Sequence, residues 1–452
     1  MGGSFVPHRR KKDRMPKLCL IFIVTAIVLL PAIARAGILH VPGQYSTIQV
    51  ALNAALTGDT VLVAAGTYYE TITWPNTQGI DLLSELGPDS TIINGSSFGV
   101  IEMLIQLDST TVISGFLITN SFGSSGINCS DLAAPTIKGN IISDNAGDWG
   151  GGIRCYGSSP IIIENIISNN TASSITAPGG GVLCYDSSAP AIINNVITNN
   201  TANYGGGICC LEYSSPQIMG NTITGNFVYG MGGGIDCALE SSPEIISNLI
   251  MDNVSYGHGG GISCHDNSSP IIRNVTITGN SADYGGGIRC MNSSPTINSC
   301  TITNNNGDGI YCSHSSSPFI NDNNIMDNTG YGVHNIDPSV IINAEYNWWG
   351  DSTGPYHPIT NPGGLGDSVS DYVDYDPWLY WLGVEDSPAL KALNERNTIG
   401  TTIFAGSFQL TEGEKCNIYD IAGRIVMPDK MKAGIYFIEV DGAITRKVIK
   451  VR

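Results

Sequence analysis

The sequence predicts an all-β protein: a right-handed parallel β-helix with three strands per turn and about 11–12 turns, followed by a small antiparallel β-sandwich. Three observations carry this. One phrase recurs between Gly126 and Val333: Gly-Gly-Gly-Ile-x-Cys, then Ser-Ser-Pro, then Ile, then Asn-x-Ile-x-x-Asn. Its cysteine falls at Cys129, Cys155, Cys184, Cys210, Cys237, Cys264, Cys290 and Cys312, at intervals of 26, 29, 26, 27, 27, 26 and 22 residues. Finally, the apolar runs are short, β-branched and broken by Gly, Pro and Asn every few positions, which argues against helix. A period this short means a stacked repeat in which each unit buries its apolar face on its neighbours.

Taken in chain order, residues 1–36 read as a signal peptide. Arg9 to Lys17 is basic, Leu18 to Leu30 is apolar, and Ala34-Arg35-Ala36 is a small-x-small cleavage site. Thirteen apolar residues are short for a spanning helix of ~20, so no membrane span is expected once this segment is removed. Residues 37–384 form the β-helix. Ser46 is expected to cap a short helix running to Leu56, followed by the first strand in the stretch from Gly58 to Val63. Residues 60–120 read as irregular early turns. A physical cap is required because a bare end exposes apolar core and unpaired strand edges.

Within one repeat, Ile208 and Cys210 point one way and Cys209 the other, since alternate side chains leave opposite faces of a strand. Cys209, facing outward, and Cys416, in the tail, are expected to be the more reactive thiols. Ser214-Ser215-Pro216 turns the chain, with Pro216 opening the next strand. Ile218 and Ile223 face inward, and Asn221 and Asn226 turn. Stacked about 4.8 Å apart, Asn140, Asn165, Asn195, Asn221, Asn248 and Asn323 form a ladder. Each is expected to take the strained corner conformation and to bond its neighbours' backbones. Val275 and Cys300 interrupt that column. The glycine triplets, such as Gly205–Gly207, allow a backbone path that a Cβ would obstruct. They lack the helix N-terminus and lysine of a phosphate cradle.

The inward cysteine column admits three readings. Buried thiols packed as small hydrophobes are favoured, because in-register Cβ vectors run parallel and a disulfide torsion is hard to reach. A few disulfides and thiolate metal binding are the alternatives.

Residues 385–398 read as a linker. In the tail, 399–452, strands around Cys416-Asn417-Ile418-Tyr419-Asp420, Gly434 to Val440 and Arg446 to Val451 predict the antiparallel sandwich.

The chain carries a formal net charge of −18. Residues 37–384 hold only Lys138, Arg154, Arg273 and Arg289 against 29 acids. Such a surface repels nucleic acid and anionic membrane. It also repels polyanionic sugars unless a divalent cation such as calcium bridges them.

Three resemblances follow from these residues. His40-Val41-Pro42-Gly43, Ala51 to Leu56 and Gly66-Thr67-Tyr68 resemble the start of secreted pectin-lyase-like β-helices, pectin methylesterases among them. The repeat resembles the right-handed β-helix repeat proteins of bacterial surfaces, and Asn347-Trp348-Trp349-Gly350-Asp351 is similar to a segment that closes such helices, two tryptophans serving as a lid. The tail resembles the C-terminal sorting domain of the type IX secretion pathway, which implies secretion machinery as a partner and a secreted or outer-surface location. Its Asn-Pro-Phe lead-in is missing, with Asn397-Thr398-Ile399 in its place.

The catalytic motifs of these enzymes are not reproduced. There is no Arg-x-Pro-x-x-Arg stretch of the lyases and no Gly-Asp-x-Asp-Phe-Ile-Phe-Gly stretch of the methylesterases, and Gly257-His258-Gly259 stands alone. No catalytic residue is assigned. A binding flank is easier to support. Beside the Gly-Ile-x-Cys strand, Tyr156, Tyr185, Asp186, Glu212, Tyr213, Asp236, Glu240, His265 and Asp266 line up with Arg154 and Arg289. The preceding loops add Trp149, Tyr204, Tyr256, His258 and Tyr284. Aromatic faces stack on sugar rings and carboxylates accept hydroxyl hydrogen bonds, so this flank suits an extended glycan. The competing reading is a solvated strand face whose aromatics cover Gly-rich loops. Asp371, Asp374 and Asp376 are the candidate calcium ligands, although their spacing lacks the glycine of a calcium loop. The expectation is a secreted, non-catalytic β-helix that binds or adheres to polysaccharide or another surface polymer. Its alternatives are a glycan-cleaving enzyme using an acidic pair on the same flank and a plain structural surface protein.

Overall fold

Short strands that alternate isoleucine with polar residues leave one apolar side chain per strand for a shared interior, and stacking those strands builds it. The computed structural model describes residues 1–3, 36–95, 99–174 and 176–380, and in the tail 400–405, 416–420, 427, 430, 434–440 and 443–451. The chain divides into two units, Met1–Arg35 and Ala36–Arg452. The expected signal segment, apart from residues 1–3 and 36, lies outside the described residues, as does the linker 385–398.

From residue 38 to residue 335 the chain winds as a parallel solenoid of about 11 turns with three main sheets. A twelve-stranded sheet runs from Ile38–Val41 to Phe319–Asn321, an eleven-stranded sheet from Gly66–Tyr69 to Asn324–Met326, and a second eleven-stranded sheet from Ile72–Thr73 to Val333–Asn335. The last of these carries the cysteines. A fourth sheet of six short strands, from Phe122–Gly123 to Val254–Ser255, forms in the loop that precedes the cysteine strand.

Register keeps like above like. Cys155 pairs with Cys184, Cys184 with Cys210 and Cys210 with Cys237, while Ile192, Ile218 and Ile245 stack in the twelve-stranded sheet. Ile197, Ile223 and Ile250 do the same in the middle sheet. All of these side chains are fully buried. Ten thiols from Cys129 to Cys312 are free and buried. Burial pushes the Cys129 thiol up to about 12, so thiolate is scarce at neutral pH. A thiol reagent applied to the native protein should leave all ten of these cysteines unlabelled, and denaturant should expose them. Mass mapping of labelled peptides checks this.

Cys209 corrects the sequence reading. It does point away from the shaft, yet it is fully buried. Burial and the neighbouring Asp236 carboxylate push its thiol well above the ordinary range.

The asparagine ladder is present, with one correction. The left-handed corner is taken by the residue before each ladder asparagine: Glu164, Asn194, Gly220, Ser247 and Asp322 have φ between 53° and 65°. The ladder asparagine instead directs its amide along the stack. The Asn195 N–H donates to Asn221 Oδ1 (2.8 Å), and Asn195 Nδ2 donates to the same oxygen and to the Ile162 carbonyl. A second ladder runs uninterrupted through Asn145, Asn170, Asn200, Asn226, Asn253, Asn280, Asn305 and Asn328. A column of serine hydroxyls from Ser188 to Ser316 accepts, each from the backbone N–H of the serine one rung earlier, at the Ser-Ser-Pro corner.

At the first ladder's gap, Cys300 substitutes partly, its Sγ reaching the Ile272 and Asn298 carbonyls. Val275, fully enclosed, offers no oxygen to the Asn248 N–H. Val275→Asn should therefore raise stability by about 1 kcal/mol, read as a higher urea midpoint.

The N-terminal helix is Ile48–Ala54, shorter than expected, and its cap is Thr47, not Ser46: Thr47 Oγ1 accepts from the Val50 N–H. Glu70 completes the cap, its two oxygens accepting from the Ile48 and Gln49 N–H groups at 3.0 Å. Ile48, Ala51 and Leu52 are buried. At the other end only Trp349 of the tryptophan pair is the plug, fully buried in the core while Trp348 is half-buried. Asn347 extends the first ladder by accepting from the Asn323 N–H.

Of the expected sandwich, the described strands form one four-stranded sheet. Cys416–Asp420, Gly434–Val440 and Ala443–Val451 are antiparallel, and Gly400–Ala405 runs parallel to the last. No helix among the described residues is long and apolar enough to cross a membrane.

Candidate functional site

The outward position of the cysteine strand forms a column of its own: Arg154, Leu183, Cys209, Asp236, Ser263, Arg289, Tyr311 and His334 are successive register partners. Expected to be an open outward flank, most of it is covered. Leu183, Cys209, Asp236 and Ser263 are wholly buried, and Arg289 is 4% exposed. The glycine loop provides the cover. Gly232 takes φ 67°, which folds the loop back over the strand, and a Cβ there would stand 2.6 Å from Asp236 Cβ. This corrects the placement of Asp236 and His265 as open ligand-facing groups: both lie in a thin layer between loop and sheet.

Inside that layer sits a charged cluster. His265 Nε2 lies 3.3 Å from Asp236 Oδ1, and its Nδ1 lies 2.9 Å from Asp266 Oδ2. Burial pulls the imidazole down, but the two carboxylates outweigh it and hold its pKa at about 9, so His265 is an imidazolium at neutral pH. One rung on, Arg289 reaches no carboxylate. Its Nη1 and Nη2 point at the sulfurs of Met231 (3.4 Å) and Met291 (2.8 Å). Arg289 Nε, Ser263 Oγ and His258 Nδ1 are buried without a hydrogen-bond partner.

Along this flank runs a row of rings. His258 and Tyr284 have centroids 5.1 Å apart, Tyr284 and Tyr311 5.3 Å, Tyr311 and His334 5.2 Å, and His334 and Tyr331 4.5 Å. Asp308 anchors the end of the row, one oxygen facing His334 Nδ1 at 3.0 Å and the other accepting from the Tyr331 N–H. Burial and the nearby Arg289 charge hold His258 below its ordinary pKa. Tyr284 and Tyr331 are exposed.

The other candidates fall in a second group toward the N-terminus. Tyr156 and Tyr185 stack at 5.5 Å, and Trp149 meets Tyr185 edge-on at the same distance. The Tyr185 hydroxyl donates to Glu212 (3.0 Å) and that of Tyr213 reaches toward Glu240 (3.5 Å). Asp186, Glu212, Tyr213, Glu240 and Asp266 occupy left-handed turn positions, with φ between 50° and 62°. Tyr204 is half-buried, its ring lying over Gly230.

Tyr311, His334, Tyr331 and Asp308 escaped the sequence reading. Tyr311 is the variable residue of its own Gly-Ile-x-Cys phrase and was open to detection, whereas His334 is hidden because Asn335 replaces the next cysteine. Among the described residues no group of three or more His, Cys, Asp or Glu side chains is placed to hold a metal ion. Asp371, Asp374 and Asp376 are therefore not gathered into one cation site, and Asp371 faces His357 Nε2 at 3.2 Å instead.

No curated protein matches the chain. The family model described as right handed beta helix region matches residues 68–195, 165–295 and 254–345, overlapping spans that together cover more than half of the sequence. With its parallel sheets and in-register columns, the chain belongs to the right-handed β-helix family.

Proposed function

We propose that this chain is a secreted or surface-displayed β-helix that binds polysaccharide without cleaving it. In this reading the tail engages a secretion pathway of the type IX kind. The observation that carries the binding is the ring row from His258 to Tyr331, whose neighbouring centroids stand 4.5–5.3 Å apart along the stack. Rings repeating at about the rung spacing offer successive sugar faces a place to stack, and exposed Tyr284 and Tyr331 are within reach of a chain laid along the flank. Net acidity favours neutral or sparsely charged polymers.

Binding is supported over hydrolysis by the state of the nearest carboxylates. Hydrolysis needs two carboxyl groups facing the scissile bond, whereas Asp308 is engaged with His334 and the Tyr331 N–H, Asp236 is wholly buried, and both it and Asp266 are engaged with His265.

The test is a panel of neutral and acidic polysaccharides, with and without calcium, assayed for retention and for new reducing ends. Retention without new ends is expected, and Tyr284→Ala should weaken it about fivefold. New reducing ends abolished by a single Asp or Glu substitution would instead establish the enzyme. Absence of retention across the panel would leave a structural surface protein.

A further inference from the structure

Resting on the glycan-binding reading, we propose that Arg289 is a carboxylate subsite: the group that receives an isolated uronic acid carried by an otherwise neutral polysaccharide. The four cations among residues 37–384 are not alike. Lys138 pairs with Glu164, Arg154 lies over the Tyr156 ring, and Arg273 is exposed. Arg289 is buried, and its guanidinium faces two thioether sulfurs, which are weak acceptors. Its Nε, like that of Arg154, donates to nothing, but Arg289 has no aromatic ring face under its guanidinium among the described residues. A buried guanidinium without an anion is an expensive arrangement. Asp236, two rungs away in the same column, does not relieve it, because that carboxylate faces His265.

The surroundings fit an incoming carboxylate. Ser263 Oγ and the ring nitrogen His258 Nδ1 are also buried and unpartnered, and Ser263 is the register partner of Arg289. Tyr311 is its partner on the next rung, so the cation stands beside a ring of the row. Met231 and Met291 close the place over. Both are half-buried, and their unbranched chains can swing aside. A carboxylate in their place would accept the planar fork of the guanidinium bidentately, with charge-assisted bonds stronger than any a thioether offers. The acidic flank would exclude polymers with a carboxylate on every residue, so selectivity should be for sparse acids.

The experiment uses the full chain with glucuronoxylan and the same polymer after its carboxyl groups have been reduced to alcohols, measured by calorimetry or affinity electrophoresis. Wild type is expected to bind the native polymer about tenfold tighter than the reduced one. Arg289→Met should erase that ratio while keeping the affinity for the reduced polymer, which also reports that the fold survives. Should Arg289→Met fail to fold, the wild-type ratio and a reduced preference in Arg289→Lys decide the matter. Equal binding of both polymers by wild type, or a ratio unchanged in Arg289→Met, overturns the carboxylate subsite and leaves glycan binding standing. Binding of neither polymer overturns both.

Discussion

Gly206→Ala is expected to destabilise the solenoid by about 3 kcal/mol, measured by urea unfolding under far-ultraviolet dichroism. A Cβ on Gly206 would stand 2.6 Å from the Gly233 carbonyl oxygen and 3.1 Å from both the amide nitrogen and the carbonyl oxygen of Phe227. All three are backbone atoms, so no side chain can rotate out of the way. The clash can be relieved only by moving rungs apart, and the strand hydrogen bonds fix their spacing. Because each repeat is stabilised by its neighbours, the damage should be local at first. Amide exchange should accelerate between Gly205 and Gly234 before the rest of the stack responds. Gly157→Ala is the control. Its nearest atom is the Asp186 carbonyl oxygen at 3.9 Å, and only its φ of 53° resists alanine, so a loss of about 1 kcal/mol is expected. Equal losses at the two positions would mean that the close approach at Gly206 costs no more than alanine in a left-handed corner.

Much of this architecture was legible in the sequence because a stacked repeat converts spacing directly into position. The column from Cys129 to Cys312 and the isoleucine columns follow from period alone, since equivalent residues must superimpose. Finer features depend on backbone geometry that period does not encode. The left-handed corner fell one residue earlier than its asparagine, at Glu164 and Ser247 among others, because the ladder amide needs an ordinary backbone to aim both its groups along the stack. Ser46 and Thr47 are both good caps by residue type, and what separates them is Glu70, distant in sequence, whose carboxylate binds the first free N–H groups.

The flank was less legible, for a different reason. Alternation shows which side of a strand a residue leaves, but not whether something lies over it. Cys209, Asp236 and His265 leave the outer side as expected, yet the glycine loop returns over them and turns an apparent surface into a buried polar layer. The ring row was half visible. His258 and Tyr284 belong to intact repeats, whereas His334 lies where the cysteine phrase has decayed. Arg289 was recognised only as one of the outward residues, since its isolation from carboxylates is a matter of which partner Asp236 chooses.

That choice has its own measurable consequence, a loss of stability at alkaline pH. Asp236 and Asp266 hold His265 at about 9, against 6.5 for an ordinary histidine. A group whose pKa is raised in the folded state binds its proton more tightly there than when unfolded. Its contribution is therefore complete below about pH 6.5 and disappears as the pH rises through 9. The size of the shift corresponds to about 3 kcal/mol, little screened because His265 is only 9% exposed. Urea unfolding at pH 6, 7.5, 9 and 10 should show the wild-type advantage over His265→Gln shrinking by about that amount across the series. Asp236→Asn should flatten the same profile, because it removes one of the two carboxylates that hold the imidazolium. Arg289, His258 and the Cys209 thiol that faces Asp236 are the other charged or titrating groups at this spot; Cys209 is present in wild type and variant alike, so its ionisation on unfolding cancels in the difference. Arg289 stays charged throughout and His258 titrates below its ordinary value, so neither imitates a transition centred near pH 9. A wild-type advantage that is constant from pH 6 to 10 would mean that His265 enters the folded layer neutral. Its two carboxylates would then be held by hydrogen bonding alone.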